Sequence, residues 1–494
     1  MSSQNDEEIR MKRYKAGLIM PHPEDQKWDS VWKIFRFPNL NLPTLAALMP
    51  EEEWDIEIQD ELVGPLNFER DYDLVLISVT TSVAIKSYEV ARIFRANGAK
   101  VVLGGIHPSA LPEEAARHAD AVVIGEAELT LSCLLEDFKE GRLETFYRMP
   151  GMVDTWDRKL PRWDLLDSKG YLFRESMTAT RGCNYRCTFC SIHLALGGGE
   201  YGYRKRPPEE VARIVEGIDG SFVMFWDDDL LSDPRYTAAL CQELKPLKKH
   251  WMSQMSATYA TQHPEVFKLL ADSGCTAMFM GLESISQDSL KSVNKQNNAA
   301  HYEETLRHIH DRGIDIHAGF VSGLDHEDVY SFEQTVEWAN RVGLCGAIFR
   351  ILTPYPGTKQ FEELKAAGRL LSTDWTYYSG EHVVFRPLKM SVEELYWGHK
   401  WAKRQFYSFR SMGERAVRRA RIHGKGELLN TFGVGLGYRA MFHLPIEDLP
   451  VNVYRDNGHL PPQPQPVPYR FPYPPVNDLK VSIMNRLSDL VPFG

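Results

Sequence analysis

The cysteines carry the sharpest chemistry in this sequence. Three of the seven fall within eight residues, in Arg181-Gly-Cys183-Asn-Tyr-Arg-Cys187-Thr-Phe-Cys190. Thiolates bind soft metals, and four of them close an iron–sulfur cubane. The next cysteine is Cys241, so the local set supplies only three ligands. Three ligands leave one iron open, and an open metal position is where a substrate or cofactor coordinates. A zinc site or an inert cysteine cluster is the competing reading of the same residues. An odd cysteine count with three clustered fits a metal site in a reducing compartment better than a secreted disulfide framework.

Other polar groups recur just after apolar runs. Phe225-Trp-Asp227-Asp228-Asp229 places carboxylates where a cationic ligand would need them, or where they would cap the helix that Pro234 opens. Gly281-Leu-Glu283-Ser284, Gly319-Phe-Val-Ser-Gly323-Leu-Asp-His-Glu327 and Thr353-Pro-Tyr-Pro-Gly-Thr358 follow in order. Nearer the start, Met20-Pro-His22, Ser78-Val-Thr80-Thr81, Gly104-Gly105-Ile-His107 and Gly125-Glu126 are rich in glycine and hydroxyls. Such loops permit close backbone approach by a ligand.

These residues need a scaffold, and the hydrophobic pattern supplies two. In the first ~150 residues short β-like runs alternate with helices: Ala16–Met20, Asp55–Ile58, Leu74–Ser78, Lys100–Leu103 and Ala121–Ile124 as strands, Leu42–Leu48 and Val83–Asn97 as helices. Strand–helix alternation predicts a doubly wound parallel sheet, with ligands beyond the carboxyl ends of its strands. No G-x-G-x-x-G follows the first strand, which argues against a dinucleotide site. After a linker, a second series begins with strands Ser176–Thr180, Phe222–Trp226, Met252–Ala257, Ala277–Leu282, Ile314–Val321 and Ala347–Leu352. Six strand–helix units predict a partial barrel whose function sits on the loops after the strands. The expected division is an α/β Rossmann-type domain over 1–147, a linker over 148–170, a (β/α)6 core over 171–389, and a helical and Pro-rich extension over 390–494. Val392–Ser408 is helical, periodicity is then lost, and 460–475 reads as polyproline-like chain.

At Cys183–Cys190 the sequence resembles the radical S-adenosylmethionine (SAM) superfamily, whose signature is C-x3-C-x-aromatic-C, with Phe189 as the aromatic. The resemblance implies a [4Fe–4S] cluster on Cys183, Cys187 and Cys190, with SAM on the open iron, reductively cleaved to a 5′-deoxyadenosyl radical. It also implies that Asp227 or Asp228 receives the SAM amino group, that Glu283 and Ser284 lie near the ribose and carboxylate, and that Gly319 and Gly323 flank the adenine. Leu-Asp-His-Glu327 stands where Leu-Pro-Gly-Glu is usual in the family.

A doubly wound domain ahead of such a core resembles the cobalamin (B12)-binding subclass, over roughly residues 12–410. That resemblance places cobalamin against Ser78, Thr80, Gly104, Gly105 and Gly125. The usual D-x-H-x-x-G cobalt-ligand motif is absent, and His107 reads as a loop histidine rather than a cobalt ligand. The stretch Asp374–Pro387 is similar to the group containing hopanoid methylases and the anaerobic magnesium-protoporphyrin cyclase. The resemblance implies methylation of an unactivated carbon, with a radical cyclisation, oxidation or rearrangement as the alternative. A non-catalytic iron–sulfur protein is the third reading. A small-molecule substrate, a lipid or a tetrapyrrole, and an external donor such as flavodoxin or ferredoxin would follow.

Composition narrows the rest. A formal net charge of −10 gives no broad positive field for nucleic acid. Arg204-Lys205-Arg206 and Arg415-Ala-Val-Arg418-Arg419 are local exceptions that could hold phosphates or simply be solvated. No apolar segment opens the chain and none reaches the roughly 18 residues of a membrane span, so a cytoplasmic protein is expected.

Overall fold

The computed structural model describes residues 13–442 apart from 24–35, 152–158, 168–169, 172–174, 196–201 and 425. The proline-rich 460–475 stretch and part of the expected linker lie outside the described residues.

Two all-parallel sheets carry the molecule. The first contains β1 (Tyr14–Met20), β2 (Trp54–Asp60), β3 (Leu74–Ser78), β4 (Lys100–Gly104), β5 (Ala121–Ile124) and β6 (Phe146–Arg148), in the order β2-β1-β3-β4-β5-β6. Continuous apolar runs such as Leu74–Ser78 are buried along their whole length, because helices cover both faces of the sheet. The order reverses between β1 and β3, and ligands of doubly wound sheets bind at such a crossover. β6 was not among the expected strands. It is a three-residue edge strand with only Tyr147 buried, too short to show a period.

The second sheet follows chain order. Its strands are β7 (Ser176–Met177), β10 (Phe222–Phe225), β11 (His250–Ser256), β12 (Cys275–Glu283), β13 (Asp315–Ser322) and β14 (Gly346–Ile351), each hydrogen-bonded to the next. Sequential parallel order with helical crossovers is the arrangement of an incomplete barrel. The expected strand Ser176–Thr180 is split into β7 and β8 (Thr180–Arg181). β8 leaves the sheet to pair antiparallel with β9 (Arg204–Lys205), Arg181 facing Arg204. The cause is Asp227, whose carboxylate accepts from the backbone N–H of Ala179 at 3.2 Å and of Thr180, and from Thr180 Oγ1 at 2.7 Å.

An open barrel has edges, and unpaired edge groups are a liability. β14 is satisfied by side chains of the helix Val392–Phe406 and the residue that follows it. Tyr407 Oη accepts from Ala347 N and donates to Ala347 O, both at 2.8 Å, and His399 Nε2 sits 3.0 Å from Phe349 O. Ile351 N donates to Gly380 O at 2.8 Å. Beyond Ser408, where periodicity is lost, the chain nevertheless forms helices Phe409–His423 and Gly426–Phe442. Among the described residues no helix is long and apolar enough to cross a membrane.

Candidate cofactor and active site

The cysteine loop is held from three sides. Gly182, at φ +84°, donates its N–H to Asp228 Oδ2 at 2.9 Å. Thr188 N donates to Val293 O at 3.0 Å, Thr188 Oγ1 to Gln360 Oε1 at 3.0 Å, and Asn294 Nδ2 to Arg186 O at 2.7 Å. Ser256 Oγ meets Tyr185 Oη at 3.2 Å, and Phe189 packs on the barrel core. The loop is therefore anchored to β10, β11 and the turns after β12 and β14, all at the carboxyl ends of the strands.

Cys183, Cys187 and Cys190 are partly exposed and form no disulfide. Burial pushes the Cys183 thiol up to about 12 and Cys190 up to about 11, and raises Cys187. Thiolates there need a metal centre to stabilise them. Among the described residues no three His, Cys, Asp or Glu side chains converge closely enough to hold one metal ion. An iron–sulfur cubane takes one thiolate on each liganded iron, which is the role three such thiols on one loop can fill.

The three aspartates after β10 have separate fates. Asp227 is fully buried and spent on the β8 backbone, and burial pushes it up to about 7. Asp229 accepts from Ser256 N at 3.2 Å and from Ser232 Oγ. Asp228 alone lines the large cavity described below. Of the two expected partners for a SAM ammonium, the structure brings Asp228 to the cavity and leaves Asp227 behind the strand.

At the end of β12, Glu283 takes the left-handed φ of +65° and pairs with Lys295 Nζ at 2.9 Å. Lys295 is a largely buried cation that sequence reasoning missed. Its spacing twelve residues after Glu283 has no helical or strand period to flag it. Ser284 Oγ donates to Glu327 Oε1 at 2.7 Å, and Gly323 N and Leu324 N donate to Glu327 Oε2 at 3.0 and 3.3 Å. Glu327 thus closes the β13 turn even with Asp-His in place of Pro-Gly, and Asp325 is engaged by Arg369 at 2.7 Å. Gly319 lies against the Phe279 ring, where a Cβ would come within 3.1 Å. Gly357, in the Thr353–Thr358 turn, faces Leu194 after the cysteine loop and Ala110 of the N-terminal domain.

The loops of the first sheet meet this region across a cavity of about 420 Å³. Ser78, Thr80, Gly104, Gly105 and Gly125 line one side, and Thr180, Arg181, Trp226 and Asp228 the other. At Gly105, φ +104°, a Cβ would stand 2.9 Å from Val79 O. Ser109, another missed residue, donates to Gly105 O at 2.8 Å and accepts from Gly125 N at 2.9 Å, bracing both glycine loops. Among the described residues no histidine lines the cavity. His107 is fully buried away from it, 3.1 Å from Tyr88 Oη and 3.3 Å from Glu114 Oε1, and His22 sits 2.9 Å from Asp60. Glycines and hydroxyls set among aliphatic side chains such as Leu76, Val102 and Val123 fit a large, flat cofactor. Trp375 and Tyr378 are packed with this domain, and Trp375 Nε1 donates to Glu114 at 2.9 Å, so they serve the domain interface rather than a pocket.

The basic clusters are consumed internally. Arg204 forks to Glu126 at 2.7 and 2.9 Å, Lys205 reaches Asp233 at 2.5 Å and Arg206 reaches Glu210 at 2.7 Å. Arg415 is buried on Asn340 and the Phe406 carbonyl, and Arg419 on Asp315. Glu126 would be raised by burial, but Arg204 and Arg181 outweigh it and hold it below the usual carboxylate range.

Comparison with known proteins agrees with this geometry. A family model described as the radical SAM superfamily matches residues 177–339, and one described as the B12 binding domain matches residues 35–135. The bacteriochlorophyllide d C-12(1)-methyltransferase of Chlorobaculum tepidum is 30% identical over 368 residues, covering 72% of this chain and 79% of the relative. The hopanoid C-2 methylase of Rhodopseudomonas palustris is 25% identical, covering 68% and 66%. Among solved structures, the radical SAM methyltransferase TsrM of Kitasatospora setae, with cobalamin and a [4Fe–4S] cluster bound, aligns at TM-score 0.58 and 18% identity, over 80% of this chain and 82% of that one.

Proposed function

This chain belongs to the radical SAM superfamily and joins a B12-binding domain to the radical SAM core; from that premise we propose that it methylates an unactivated carbon of a flat, largely apolar small molecule of the tetrapyrrole class. The observation that carries the reading is the shared cavity: the carboxyl ends of both sheets open on one space, with the cysteine loop at its border. When bound, the cluster supplies the electron that cleaves SAM, and cobalamin supplies the methyl group.

The chain's own residues do the rest. Cys183, Cys187 and Cys190 hold the cluster and leave one iron for SAM. Asp228 keeps one carboxylate oxygen on Gly182 N–H, and its other oxygen suits the SAM ammonium. Glu283, held by Lys295, and Ser284, held by Glu327, present polar groups to the rest of SAM. Gly104, Gly105 and Gly125 let the N-terminal backbone approach the corrin face closely, and Ser78 and Thr80 offer hydroxyls to its edge. Trp226 supplies an aromatic wall between the two halves. An external one-electron donor of flavodoxin or ferredoxin type completes the cycle. The tetrapyrrole class is supported by the bacteriochlorophyllide methyltransferase relatives.

The test is anaerobic reconstitution with iron, sulfide and hydroxocobalamin, followed by SAM, a strong reductant and chlorophyllide-type acceptors. The expected products are S-adenosylhomocysteine and 5′-deoxyadenosine together, with an acceptor heavier by one methylene. Production of 5′-deoxyadenosine alone, with an acceptor lighter by two hydrogens, would replace methyl transfer by the cyclisation reading, for which the anaerobic magnesium-protoporphyrin cyclase of Cereibacter sphaeroides, 24% identical, is the relevant relative.

A further inference from the structure

The two-stranded ribbon β8–β9 sets Arg181 directly opposite Arg204. Like charges facing one another across a ribbon destabilise it. Neither guanidinium is neutralised by the ribbon itself. Arg204 forks to Glu126 at 2.7 and 2.9 Å, and Arg181 Nη1 reaches Glu126 at 3.1 Å and Glu128 as well. Both carboxylates belong to the loop after β5 of the B12-binding domain. Arg204 and Glu126 have side chains only 7% and 8% exposed. A bidentate, nearly dry pair is the strong kind, and geometrically the demanding kind.

The neighbouring cations behave differently. Lys205 and Arg206 bond Asp233 and Glu210, both within the radical SAM half, and so fix the ribbon to its own sheet. The ribbon therefore has two kinds of bonds: those that hold it at home and those that reach across. Two arginines meet two glutamates, so docking of the N-terminal domain brings the carboxylates that bond the facing like charges of the ribbon. Arg181 also lies two residues before Cys183, and the same ribbon end carries Gly182, tied to Asp228.

We propose that Arg181 and Arg204 with Glu126 and Glu128 form an interdomain latch that orders the cysteine loop and sets the separation between the cluster site and the B12-binding loops. These four are positioning residues. The part concerning cofactor separation rests on the cobalamin reading above; the part concerning loop order does not.

The test uses the full chain, reconstituted with cluster and hydroxocobalamin, as wild type, Arg204→Gln, Arg204→Lys and Arg206→Gln. Hydrogen exchange is followed in peptides covering 121–131 and 175–190. In Arg204→Gln, amides in both segments should exchange at least about tenfold faster, because a truncated charge pair leaves the other charge buried and unpaired. Arg204→Lys, which keeps the charge and loses the fork, should fall between. Arg206→Gln should disturb 121–131 far less, because Glu210, which Arg206 bonds at 2.7 Å, is in its own half. A second readout is the pulsed electron paramagnetic resonance distance between cob(II)alamin and the reduced cluster, narrow in wild type and broadened in Arg204→Gln. Unchanged exchange in Arg204→Gln, or equal disturbance of 121–131 by Arg206→Gln, would overturn the latch. If Arg204→Gln does not fold, Arg204→Lys against Arg206→Lys makes the same comparison. A wild type that binds no cobalamin removes the cofactor reading and leaves the exchange result to decide the latch.

Discussion

Gly105→Ala tests the proposed cobalamin cradle at its tightest point. Gly105 sits at φ +104° with ψ −169°, a region that only glycine occupies without strain. Placing a side chain there costs about 1–3 kcal/mol in backbone strain. The added Cβ would also stand 2.9 Å from Val79 O and 3.0 Å from Val79 N. Both are backbone atoms between β3 and the next helix, held by Val79 N→Gly104 O at 2.8 Å and His107 N→Val79 O at 3.2 Å. They cannot step aside as a flexible side chain would, so overpacking adds about another 1–3 kcal/mol. The sum, roughly 4 kcal/mol, corresponds to a melting shift of about 10 °C for a domain of this size. Gly98→Ala is the matched control. It lies in the same domain at φ +97°, at the amino end of β4, with nothing within 4 Å of its would-be Cβ. It carries the strain without the collision, so its loss should be nearer 1–2 kcal/mol. Thermal melts of both variants without cofactor, followed by hydroxocobalamin titration, separate the two effects. Gly105→Ala should lose at least about tenfold in cobalamin affinity and Gly98→Ala none. Equal melting shifts, or an unaltered cobalamin titration in Gly105→Ala, would refute the close-approach argument.

Any of Cys183, Cys187 or Cys190 changed to Ala should lose cluster iron and SAM cleavage, whereas Cys241→Ala should keep both; iron analysis of the reconstituted proteins decides, and iron loss in Cys241→Ala would show a fourth ligand. Asp228→Asn can still accept from Gly182 N–H but has no charge, so it should retain iron and lose about 10–100-fold in SAM affinity, while Asp228→Ala should lose iron too. Burial alone would raise Glu381, but Lys403 at 2.5 Å and Arg350 at 2.6 Å hold it down to about 2. Its ionised form contributes stability that is present above pH ~4.5 and is lost as pH falls toward 2, although burial also pushes the Lys403 ammonium down to about 8 and offsets part of the gain at neutral pH. Urea midpoints of Lys403→Met should therefore fall at pH 7, and their decline between pH 4.5 and 2 should be shallower than in wild type.

Much of this architecture was legible because its signals are local. Leu74–Ser78 is apolar throughout since helices cover both faces, and Asp315–Ser322 and Gly346–Ile351 fall within a residue of the strands the pattern predicts. What escaped depended on partners far away in sequence. The expected strand Ser176–Thr180 breaks because Asp227, 47 residues on, takes the Thr180 N–H. Helix Gly426–Phe442 has no polar face and four glycines, so no amphipathic stripe announces it. Arg204 looks like part of a phosphate patch until Glu126 is found beside it, 78 residues upstream. The only sequence hint was Glu126-Ala-Glu128 itself, two carboxylates just beyond a buried strand with no cation nearby to answer them.

The two edges of the open barrel account for where these distant contacts fall. This six-stranded sheet does not close on itself, as β7 and β14 are its unpaired ends, so each needs a partner from outside. Beyond β14 that partner is the helix Val392–Phe406 with the residue after it, through His399 and Tyr407. On the β7 side Trp163 Nε1 donates to Ser176 O at 3.1 Å, and the β8–β9 ribbon into which the chain departs is tied to the B12-binding domain through Glu126 and Glu128. The stretch carrying Trp375 and Tyr378 spans the two, bonded to Glu114 on one domain while Gly380 O receives Ile351 N of β14. The mouth of the barrel is thus framed by elements that are not part of it. Substitutions within the strands should then alter cluster and SAM chemistry, while substrate preference should follow changes in the framing loops, which can vary without disturbing the cysteine anchors.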